Sequence, residues 1–424
     1  MGKPELQPGV ALFGRTARGG RGARAAAAGL VVVLRLGRRR RDRAARERAR
    51  ALDRRHRPPR DARRGHRHPH RARRRRHGPL RRRGHGATPD ARLRAARASR
   101  LAVSVKWGLL STALINEAIL GGAAESFEVD VIAVASRDEA RARSYADEHG
   151  LERSYGSYEG LLADPDVEAV YVSLPNSLHV EWTLRALEAG KHVLVEKPFS
   201  KHPDQIEEAF DRADAAGLVL SEGFMWRHHP QAHRLTELIA SGVAGRVRVV
   251  RTAFAFDLAT ERGTGDTRFD PALDGGALMD VGCYCISGLR LVAGDPERAR
   301  GEQVVGPSGV DVVFTGALAF GDEVVGHFDC GFIVPRRAML EVVGDEATIL
   351  VPDPFTPRTP GIEVVRPGNA PESIPIEPAS SYRLELENVS AAIRGEASLL
   401  LGREDAISQA RTIDELYRSA APAA

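Results

Sequence analysis

The stretch "VEAVYVSLPNSLHVEWTLRALEAGKHVLVEKPFS", residues 167–200, holds two short apolar runs separated by a longer amphipathic segment. Both runs are rich in Val, Leu and Ala, a composition typical of strands that are buried on both faces of a parallel sheet. The intervening "HVEWTLRALEAG" has helical spacing and ends at Gly190, a frequent helix terminator. These residues therefore predict a strand–helix–strand unit with parallel strands.

The same alternation extends from about residue 104 to residue 222. Further apolar runs read "VKWGLL", "VDVIAVAS" and "LVLSEG", and amphipathic segments such as "RDEARARSYADEHG" lie between them. Parallel strands that alternate with helices form a sheet with helices on both faces. We therefore predict an α/β fold in which residues 104–222 form a doubly wound, Rossmann-type dinucleotide-binding domain.

The pattern changes after residue 223. Longer segments such as "VDVVFTGALAF" alternate apolar and polar residues, and "FGDE" and "GDEA" read as tight turns between antiparallel partners. We predict that residues 223–424 form an α+β domain that binds substrate and carries an open, mostly antiparallel sheet. Its own helices cover one face of that sheet, and we expect a second subunit of a homodimer or homotetramer to cover the other.

Residues 1–103 differ sharply from the rest of the chain. Residues 1–104 contain 33 Lys and Arg but 6 Asp and Glu, whereas residues 105–424 contain 29 and 50, so the formal net charges are +27 and −21. Because the first segment has few apolar groups to bury, we expect a disordered, Arg-rich leader. Such an arm attracts nucleic acid or an anionic membrane, but it lacks aromatic residues to stack on bases, so we expect no nucleic-acid partner. We favour the alternative that it translates GC-rich DNA upstream of a true start near Val103 or Val105.

The composition also bears on where the protein resides. The apolar run at 25–34 is short, lacks a small-residue cleavage site and precedes Arg clusters, and no run of about 18 apolar residues exists. The three cysteines, Cys283, Cys285 and Cys330, suit neither a disulfide scaffold nor a zinc site. We therefore expect a cytoplasmic protein with no membrane partner and no metal.

The first strand-to-helix turn reads "WGLLSTALIN". Rossmann domains place glycines here so that backbone amides approach a pyrophosphate at a helix N terminus. Gly108 fills the first glycine position, whereas Leu110 and Ala113 fill the second and third. Because the neighbouring side chains are small, we predict cofactor contacts from Gly108, Ser111, Thr112 and Ala113. An ordinary tight turn is the alternative.

The second strand ends in "VIAVASRDEA". An acidic residue at this point favours NAD because it binds the ribose hydroxyls, whereas an arginine accepts the 2′-phosphate of NADP. Here Ser136 and Arg137 occupy that position, and Asp138 reads as a helix cap. We therefore predict NADP as the cofactor, with NAD as the alternative. An exposed loop arginine without a ligand is the other interpretation.

The third candidate cofactor segment is "SLPNSLHVEW". We predict that Leu174 and Pro175 flank the nicotinamide ribose and that Asn176 caps the following helix close to the cofactor. His179 either completes that turn or faces the crevice, and we include it among the candidate cofactor-binding residues.

Together these motifs resemble a known family. The order of a G-x-x-S-x-A turn, "LPNSLH", "EKP" and "DVGCY" is similar to that of the Gfo/Idh/MocA oxidoreductases. The likeness spans about 104–420 and implies a Rossmann domain followed by an α/β domain with an open antiparallel sheet. "WGLLSTALIN" and "SEGFMWRHHPQ" resemble the branch of D-xylose dehydrogenases and dimeric dihydrodiol dehydrogenases, and the second phrase also resembles sugar-nucleotide 3-ketoreductases.

The resemblance assigns a role to the charged end of the stretch quoted first. In the family the proline of "EKP" is usually cis, which directs Lys197 into the crevice beside the nicotinamide and lets Glu196 reach the cofactor ribose. Trp226 and Arg227 face the same crevice in relatives, so they are candidate contacts for the nicotinamide amide or a sugar.

The same resemblance places the rest of the site in "DGGALMDVGCYCISGLRLVAG". Asp280 and Tyr284 are four apart and share one face of a helix. Hydride transfer at a carbinol carbon needs a group that moves the hydroxyl proton. We predict Tyr284 as this acid/base, Lys197 as the ammonium that lowers its pKa and polarises the substrate oxygen, and Asp280 as an orienter of substrate hydroxyls. Arg268 in the preceding loop is a further candidate substrate contact.

Four functions are compatible with these residues. We favour an NADP-dependent dehydrogenase or reductase acting on a carbonyl/alcohol pair of a sugar or similar polyhydroxylated ring. The alternatives are a nucleotide-linked deoxysugar 3-ketoreductase, which the acidity of residues 105–424 disfavours, and a non-catalytic NAD(P)-binding sensor or repressor. The set of Lys197, Asp280 and Tyr284 argues against the sensor. The fourth, a nucleic-acid binder, rests on the leader alone.

Overall fold

The computed structural model describes residues 104–321 and 323–421, which form two β-sheets with helices around them. The expectations for the Arg-rich leader lie outside these residues.

The first sheet is built from six strands. They are β1 (Val105–Leu110), β2 (Val129–Ala135), β3 (Arg153–Tyr155), β4 (Ala169–Val172), β5 (His192–Glu196) and β6 (Leu220–Gly223). All pair in parallel, in the order β3-β2-β1-β4-β5-β6. This order reverses between β1 and β4, as in the Rossmann fold, so the predicted doubly wound sheet is confirmed.

Five helices alternate with these strands. They are α1 (Asn116–Ala124), α2 (Glu139–His149), α3 (Tyr158–Leu162), α4 (His179–Glu188) and α5 (Pro203–Ala216). Helices α1 and α2 pack on one face of the sheet, and α3, α4 and α5 pack on the other. Glycines end two of these helices, α2 at Gly150 and α5 at Gly217. Both glycines have the left-handed conformation that glycine adopts readily.

The second sheet has eight strands. They are β7 (Val247–Ala255), β8 (Arg298–Val305), β9 (Asp311–Phe320), β10 (Val324–Gly331), β11 (Arg337–Gly344), β12 (Thr348–Val351), β13 (Gly361–Val365) and β14 (Glu372–Pro375). Their order is β14-β13-β12-β11-β7-β10-β9-β8. Only the β7–β10 pair within this sheet is parallel, so the predicted, mostly antiparallel sheet is confirmed.

The remaining helices are α6 (Pro230–Ala240), α7 (Leu258–Arg262), α8 (Cys283–Ala293), α9 (Ser381–Ile393) and α10 (Arg403–Ala420). Residues of α8 and α10 join Phe314 and Phe328 in the core on one face of the second sheet. Side chains on the opposite face remain exposed within the chain, among them Thr315 and His327.

The two closing helices connect the sheets. Leu386 and Val389 of α9 pack with Trp107 of β1, and the Trp107 indole donates a hydrogen bond of 3.2 Å to the Ser390 hydroxyl. Helix α10 places Ala406 against the other face of the first sheet. The closing helices, expected within the second domain, thus complete the core of the first.

One helical segment of the second domain is both long and apolar. Pro271–Ala293 meets a length and composition criterion for a membrane-spanning helix, although it is not a continuous apolar run. Within the protein, 78% of its most apolar window is buried. Its packing is therefore that of a core helix.

Candidate active site

The first βα turn lies at the carboxyl ends of β1 and β4, where the strand order reverses. The Ser111 hydroxyl donates to the Ser173 carbonyl at 2.9 Å and accepts from the Ala113 N–H at 3.1 Å. The Asn116 amide donates to the Ser111 carbonyl at 2.8 Å. Ser111 itself has a φ of 145°, which is rare outside glycine. The turn is thus folded tightly around this serine.

The turn fits the phosphates of a dinucleotide. Among the described residues, no acceptor receives the backbone N–H groups of Thr112, Leu114 or Ile115. They precede the N terminus of α1, where unpaired amides and the helix dipole favour an anion. Gly108 has a different reason to be glycine, since a Cβ there would lie 2.7 Å from a methyl carbon of Leu161. It permits close packing of α3.

The end of β2 places Ser136 and Arg137 directly before the helix cap Asp138. Ser136 is buried and its hydroxyl accepts the Asp138 N–H at 3.3 Å, while Asp138 caps α2 by accepting the Arg141 N–H at 3.1 Å. Arg137 is exposed. Burial raises the pKa of Tyr158, and the neighbouring Arg137 partly offsets that rise, which places the guanidinium beside the tyrosine.

The segment after β4 contributes less to the crevice than predicted. Leu174 is buried, Pro175 is half-buried, and the Asn176 amide donates to the Asp274 carbonyl at 2.9 Å, a contact between the two sheets' domains. His179 completes the turn and does not face the crevice. The imidazole is 1% exposed, and its nitrogens lie 2.9 Å and 2.7 Å from the carbonyl oxygens of Pro198 and Leu174.

Burial lowers the pKa of His179 to about 4, and the buried ring braces the chain beside Pro198, donating its single N–H to one of the two carbonyl oxygens. Because both ring nitrogens face backbone carbonyl groups, none is left for a cofactor. The prediction that His179 binds the cofactor is therefore wrong.

Beyond β5 the chain turns at a cis Lys197–Pro198 peptide bond. Glu196 is half-buried and accepts a hydrogen bond from the Tyr171 hydroxyl. The Lys197 ammonium donates to the Asp280 carbonyl at 2.9 Å and to its carboxylate at 3.0 Å. The structure therefore brings together the two charged residues that the sequence placed on separate domains.

The ion pair extends into a short charged network. The second carboxylate oxygen of Asp280 lies 3.4 Å from the Arg268 guanidinium, which also pairs with Asp266 at 2.8 Å. Burial lowers the pKa of Lys197, but the Asp280 carboxylate outweighs it and the net pKa is raised. For Asp280 burial raises the pKa, and Lys197 and Arg268 together reverse this, so the net pKa is lowered. Both groups are therefore held in their charged forms.

Tyr284 joins this network through its ring. The Lys197 ammonium lies 4.8 Å from the ring centroid, and the hydroxyl donates to the Met225 sulfur at 3.7 Å. Phe224 and Phe254 pack edge-on against the ring. Burial, reinforced by Glu196, raises the pKa of Tyr284 well above its usual range. The expected lowering by Lys197 is therefore wrong, because the aromatic surroundings remove the solvation that phenolate needs.

Sequence comparison agrees with this architecture. Residues 114–224 match the Gfo/Idh/MocA oxidoreductase family described by its NAD-binding Rossmann fold, and residues 232–350 match the Gfo/Idh/MocA C-terminal domain. The chain belongs to the Gfo/Idh/MocA family. It is therefore an NAD(P)-dependent oxidoreductase.

Several Gfo/Idh/MocA relatives are similar over most of their length. D-xylose 1-dehydrogenase (NADP(+)) 2 of Haloferax volcanii is 37% identical over 317 residues, 74% of this chain and 97% of that protein. Trans-1,2-dihydrobenzene-1,2-diol dehydrogenase of Bos taurus is 32% identical over 292 residues, 68% of this chain and 84% of the other. A 3-ketoreductase from Actinomadura kijaniata, solved with NADP and TDP-benzene, has a TM-score of 0.71 at 29% identity and covers 74% of this chain and 98% of its own.

Trp226 and Arg227, which the family resemblance suggested as contacts for the nicotinamide amide or a sugar, point away from the crevice. Trp226 is 1% exposed and packs edge-on against Phe355 at 5.3 Å, within the core of the second sheet. The Arg227 guanidinium lies 3.5 Å from Asp405 of α10. Neither contacts the Lys197–Asp280 pair among the residues described. We attribute the difference from expectation to the turn at Met225–His228, which directs both side chains into the second domain.

The sequence analysis missed Asp311, which supports the segment that carries Asp280. That segment, Leu278–Gly282, is a π-helix that continues into α8. Asp311 is buried at the start of β9 and accepts the Leu278 N–H at 2.7 Å and the Tyr417 hydroxyl at 2.9 Å. The sequence pattern that could have indicated Asp311 is an acidic residue at the start of an otherwise apolar strand, in "VDVVFTGALAF".

Within 104–321 and 323–421, no group of three or more His, Cys, Asp or Glu side chains is arranged to hold an ion.

Removing the Asp280 charge tests the ion pair. We expect Asp280→Asn to lower the free energy of unfolding by about 3 kcal/mol at neutral pH, because Lys197 is left buried without its partner. The folded-state pKa of Asp280 is lower than its ordinary value. Its contribution is therefore complete at neutral pH and disappears as the pH falls through the folded-state pKa. Urea unfolding of both proteins between pH 3 and pH 7 measures this.

The exposed Glu261→Gln change is the control and should stay within about 0.5 kcal/mol of wild type at every pH. An Asp280→Asn deficit of equal size at pH 3 and pH 7 would contradict the pairing.

Proposed function

We propose that this protein is an NADP-dependent dehydrogenase or reductase acting on the carbonyl/alcohol pair of a free sugar or similar polyhydroxylated ring. The observation that carries the proposal is the Lys197 ammonium, held between the Asp280 carboxylate and the Tyr284 ring at the crevice. The similarity to a D-xylose 1-dehydrogenase (NADP(+)) supports the substrate class and the cofactor.

Lys197 polarises the substrate oxygen. An ammonium has three N–H donors, and Asp280 accepts two of them. The third is available to a carbonyl or alcohol oxygen, on which it stabilises negative charge. Because Asp280 keeps the amine protonated, this donor is present across the physiological pH range.

Tyr284 moves the proton. Its raised pKa keeps the phenol protonated, so the group is suited to donate its proton to the carbonyl oxygen during reduction and, in the reverse direction, to regain that proton from the alcohol during oxidation. Its present acceptor, the Met225 thioether, is weak, so exchange for a substrate oxygen costs little. Asp280 and Arg268 orient the neighbouring substrate hydroxyls. When bound, the nicotinamide supplies or accepts the hydride.

The cofactor is held by the β1 and β2 ends. Ser111, Thr112 and the N–H groups of that turn that have no acceptor among the described residues hold the pyrophosphate, and the small side chain of Ala113 allows its close approach. The Ser136 hydroxyl and Arg137 receive the 2′-phosphate. Leu174, Pro175 and Glu196 line the nicotinamide ribose, and Asn176 lies next to them in sequence.

A second candidate is a 3-ketoreductase for nucleotide-linked deoxysugars. The similarity to the Actinomadura kijaniata enzyme favours it, whereas the net charge of −21 over residues 105–424 disfavours an anionic diphosphate substrate. We also propose that the open face of the second sheet pairs with another copy of the chain, as a homodimer or homotetramer.

A substrate panel at saturating cofactor tests the function. We expect NADPH formation with NADP⁺ and a free aldose, because no nucleotide group is needed to place a hydroxyl between Lys197 and Tyr284. Turnover of a TDP-linked sugar alone would support the ketoreductase, and binding of NADP⁺ without turnover of any sugar, diol or TDP-sugar would support the sensor.

Replacing the Tyr284 hydroxyl tests the acid/base role. We expect Tyr284→Phe to reduce kcat roughly 10²- to 10⁴-fold while NADPH affinity stays unchanged, because only the proton-transfer group is lost. Steady-state kinetics and fluorescence titration measure the two quantities. Tyr145→Phe, which removes a buried hydroxyl on α2 without a hydrogen-bond partner in the described part of the chain, is the control and should keep wild-type turnover. Near-normal kcat in Tyr284→Phe would remove the assignment.

Removing the guanidinium at the end of β2 tests cofactor choice. We expect Arg137→Ala to weaken NADPH binding roughly ten- to a hundredfold and to leave NADH binding unchanged, since only NADPH carries the 2′-phosphate. Arg143→Ala removes another exposed arginine of the same region, paired with Glu139, and should change neither affinity. Equal losses for both dinucleotides would show that Arg137 does not read the 2′-phosphate.

A further inference from the structure

A buried acid lies behind the crevice on the face of the first sheet that α9 covers. Glu385 of α9 is 1% exposed. Its Oε1 lies 3.8 Å from the point where a Cβ on Gly223 would stand, and Gly223 pairs with Glu196 at the ends of β6 and β5. The carboxyl is thus placed at the same sheet edge as the Lys197 turn.

This carboxyl is unusual because nothing in the described chain satisfies it. Oε1 is wholly buried and has no hydrogen-bond partner among the described residues. Glu196, by contrast, accepts the Tyr171 hydroxyl. An unpaired carboxylate in such a position costs several kcal/mol, so a buried one of this kind indicates a function.

The groups around Glu385 supply no compensating cation. Glu196 faces it from β5, and Tyr171, Tyr284 and Tyr382 face it from β4, α8 and its own helix. The nearby Lys197 is already paired with Asp280. Burial, reinforced by Glu196, raises the pKa of Glu385 well above its usual range. With the site empty of positive charge, the neutral acid is favoured.

The position of Glu385 indicates which positively charged group could lie beside it. In a Rossmann sheet, strands β1–β3 take one nucleotide of a dinucleotide and β4–β6 take the other. If the adenosine half lies at Ser136 and Arg137, the nicotinamide half belongs at the end where Glu385 lies. The nicotinamide ring is positively charged only when oxidised, and an opposite charge within about 4–6 Å favours ionisation of an acid.

We propose that Glu385 is the counter-group for the oxidised nicotinamide: it is protonated when NADPH is bound and releases its proton to solvent when NADP⁺ binds. This rests on the proposed function, since it requires a nicotinamide dinucleotide in the crevice. The protein then holds the two oxidation states with different numbers of protons, independently of any substrate.

Calorimetry in buffers of different ionisation enthalpy tests the proposal. We expect wild-type protein at neutral pH to release up to about one more proton on binding NADP⁺ than on binding NADPH. In Glu385→Gln that difference should vanish, and affinity for NADP⁺ should fall about tenfold relative to NADPH, the equivalent of one pKa unit.

Three controls separate this role from a structural one. Glu222→Gln removes another buried carboxyl, on the opposite face of β6, and should keep the difference in proton release. Glu385→Asp retains a carboxyl group and should show part of the wild-type difference in proton release. 2′-Phosphoadenosine diphosphoribose, which lacks the nicotinamide, should bind wild type and Glu385→Gln equally, which also shows that the variant is folded.

Two results overturn the proposal alone: wild type that binds both forms with equal proton release, or a Glu385→Gln variant that keeps the difference or weakens both forms equally. A wild-type protein that binds neither NADP⁺ nor NADPH overturns the proposed function, and this inference with it.

Discussion

The contact between the Lys197 ammonium and the Asp280 carboxylate, at 3.0 Å, organises the site. One charge stands at a strand end of the parallel sheet, and the other stands on the π-helical segment beside the antiparallel sheet. Both are largely buried, so each would be expensive without the other. The pair therefore fixes how the two parts of the chain face one another, and Arg268 extends that constraint to the loop over the crevice.

The site that results is rich in donors. Lys197 keeps its proton through Asp280, and Tyr284 keeps its proton because its ring is packed among aromatic side chains. In the proposed reaction, these two protonated groups stabilise negative charge on the substrate oxygen. Two carboxyl groups with raised pKa values, Glu196 and Glu385, lie at the same edge of the first sheet.

Much of this arrangement could be predicted from the sequence, because apolar runs and helical spacing report burial directly. The Rossmann order and the antiparallel sheet followed from local patterns, whereas the placing of Lys197, Asp280 and Tyr284 in one site came from the resemblance to the Gfo/Idh/MocA family. The orientation of His179 and Trp226 did not, since it depends on which backbone carbonyl or ring faces each side chain. The direction of the Tyr284 pKa shift likewise depends on Phe224, Phe254 and other residues distant in sequence.

The hydrogen bond between Trp107 and Ser390 joins residues 283 positions apart. A ribosome adding about 5–20 residues per second needs roughly 15 to 60 s to make the intervening chain. Throughout that time the apolar surface of the first strand around Trp107 lacks the helix that shields it. The nascent polypeptide thus carries this apolar surface without its covering helix until its last segment emerges.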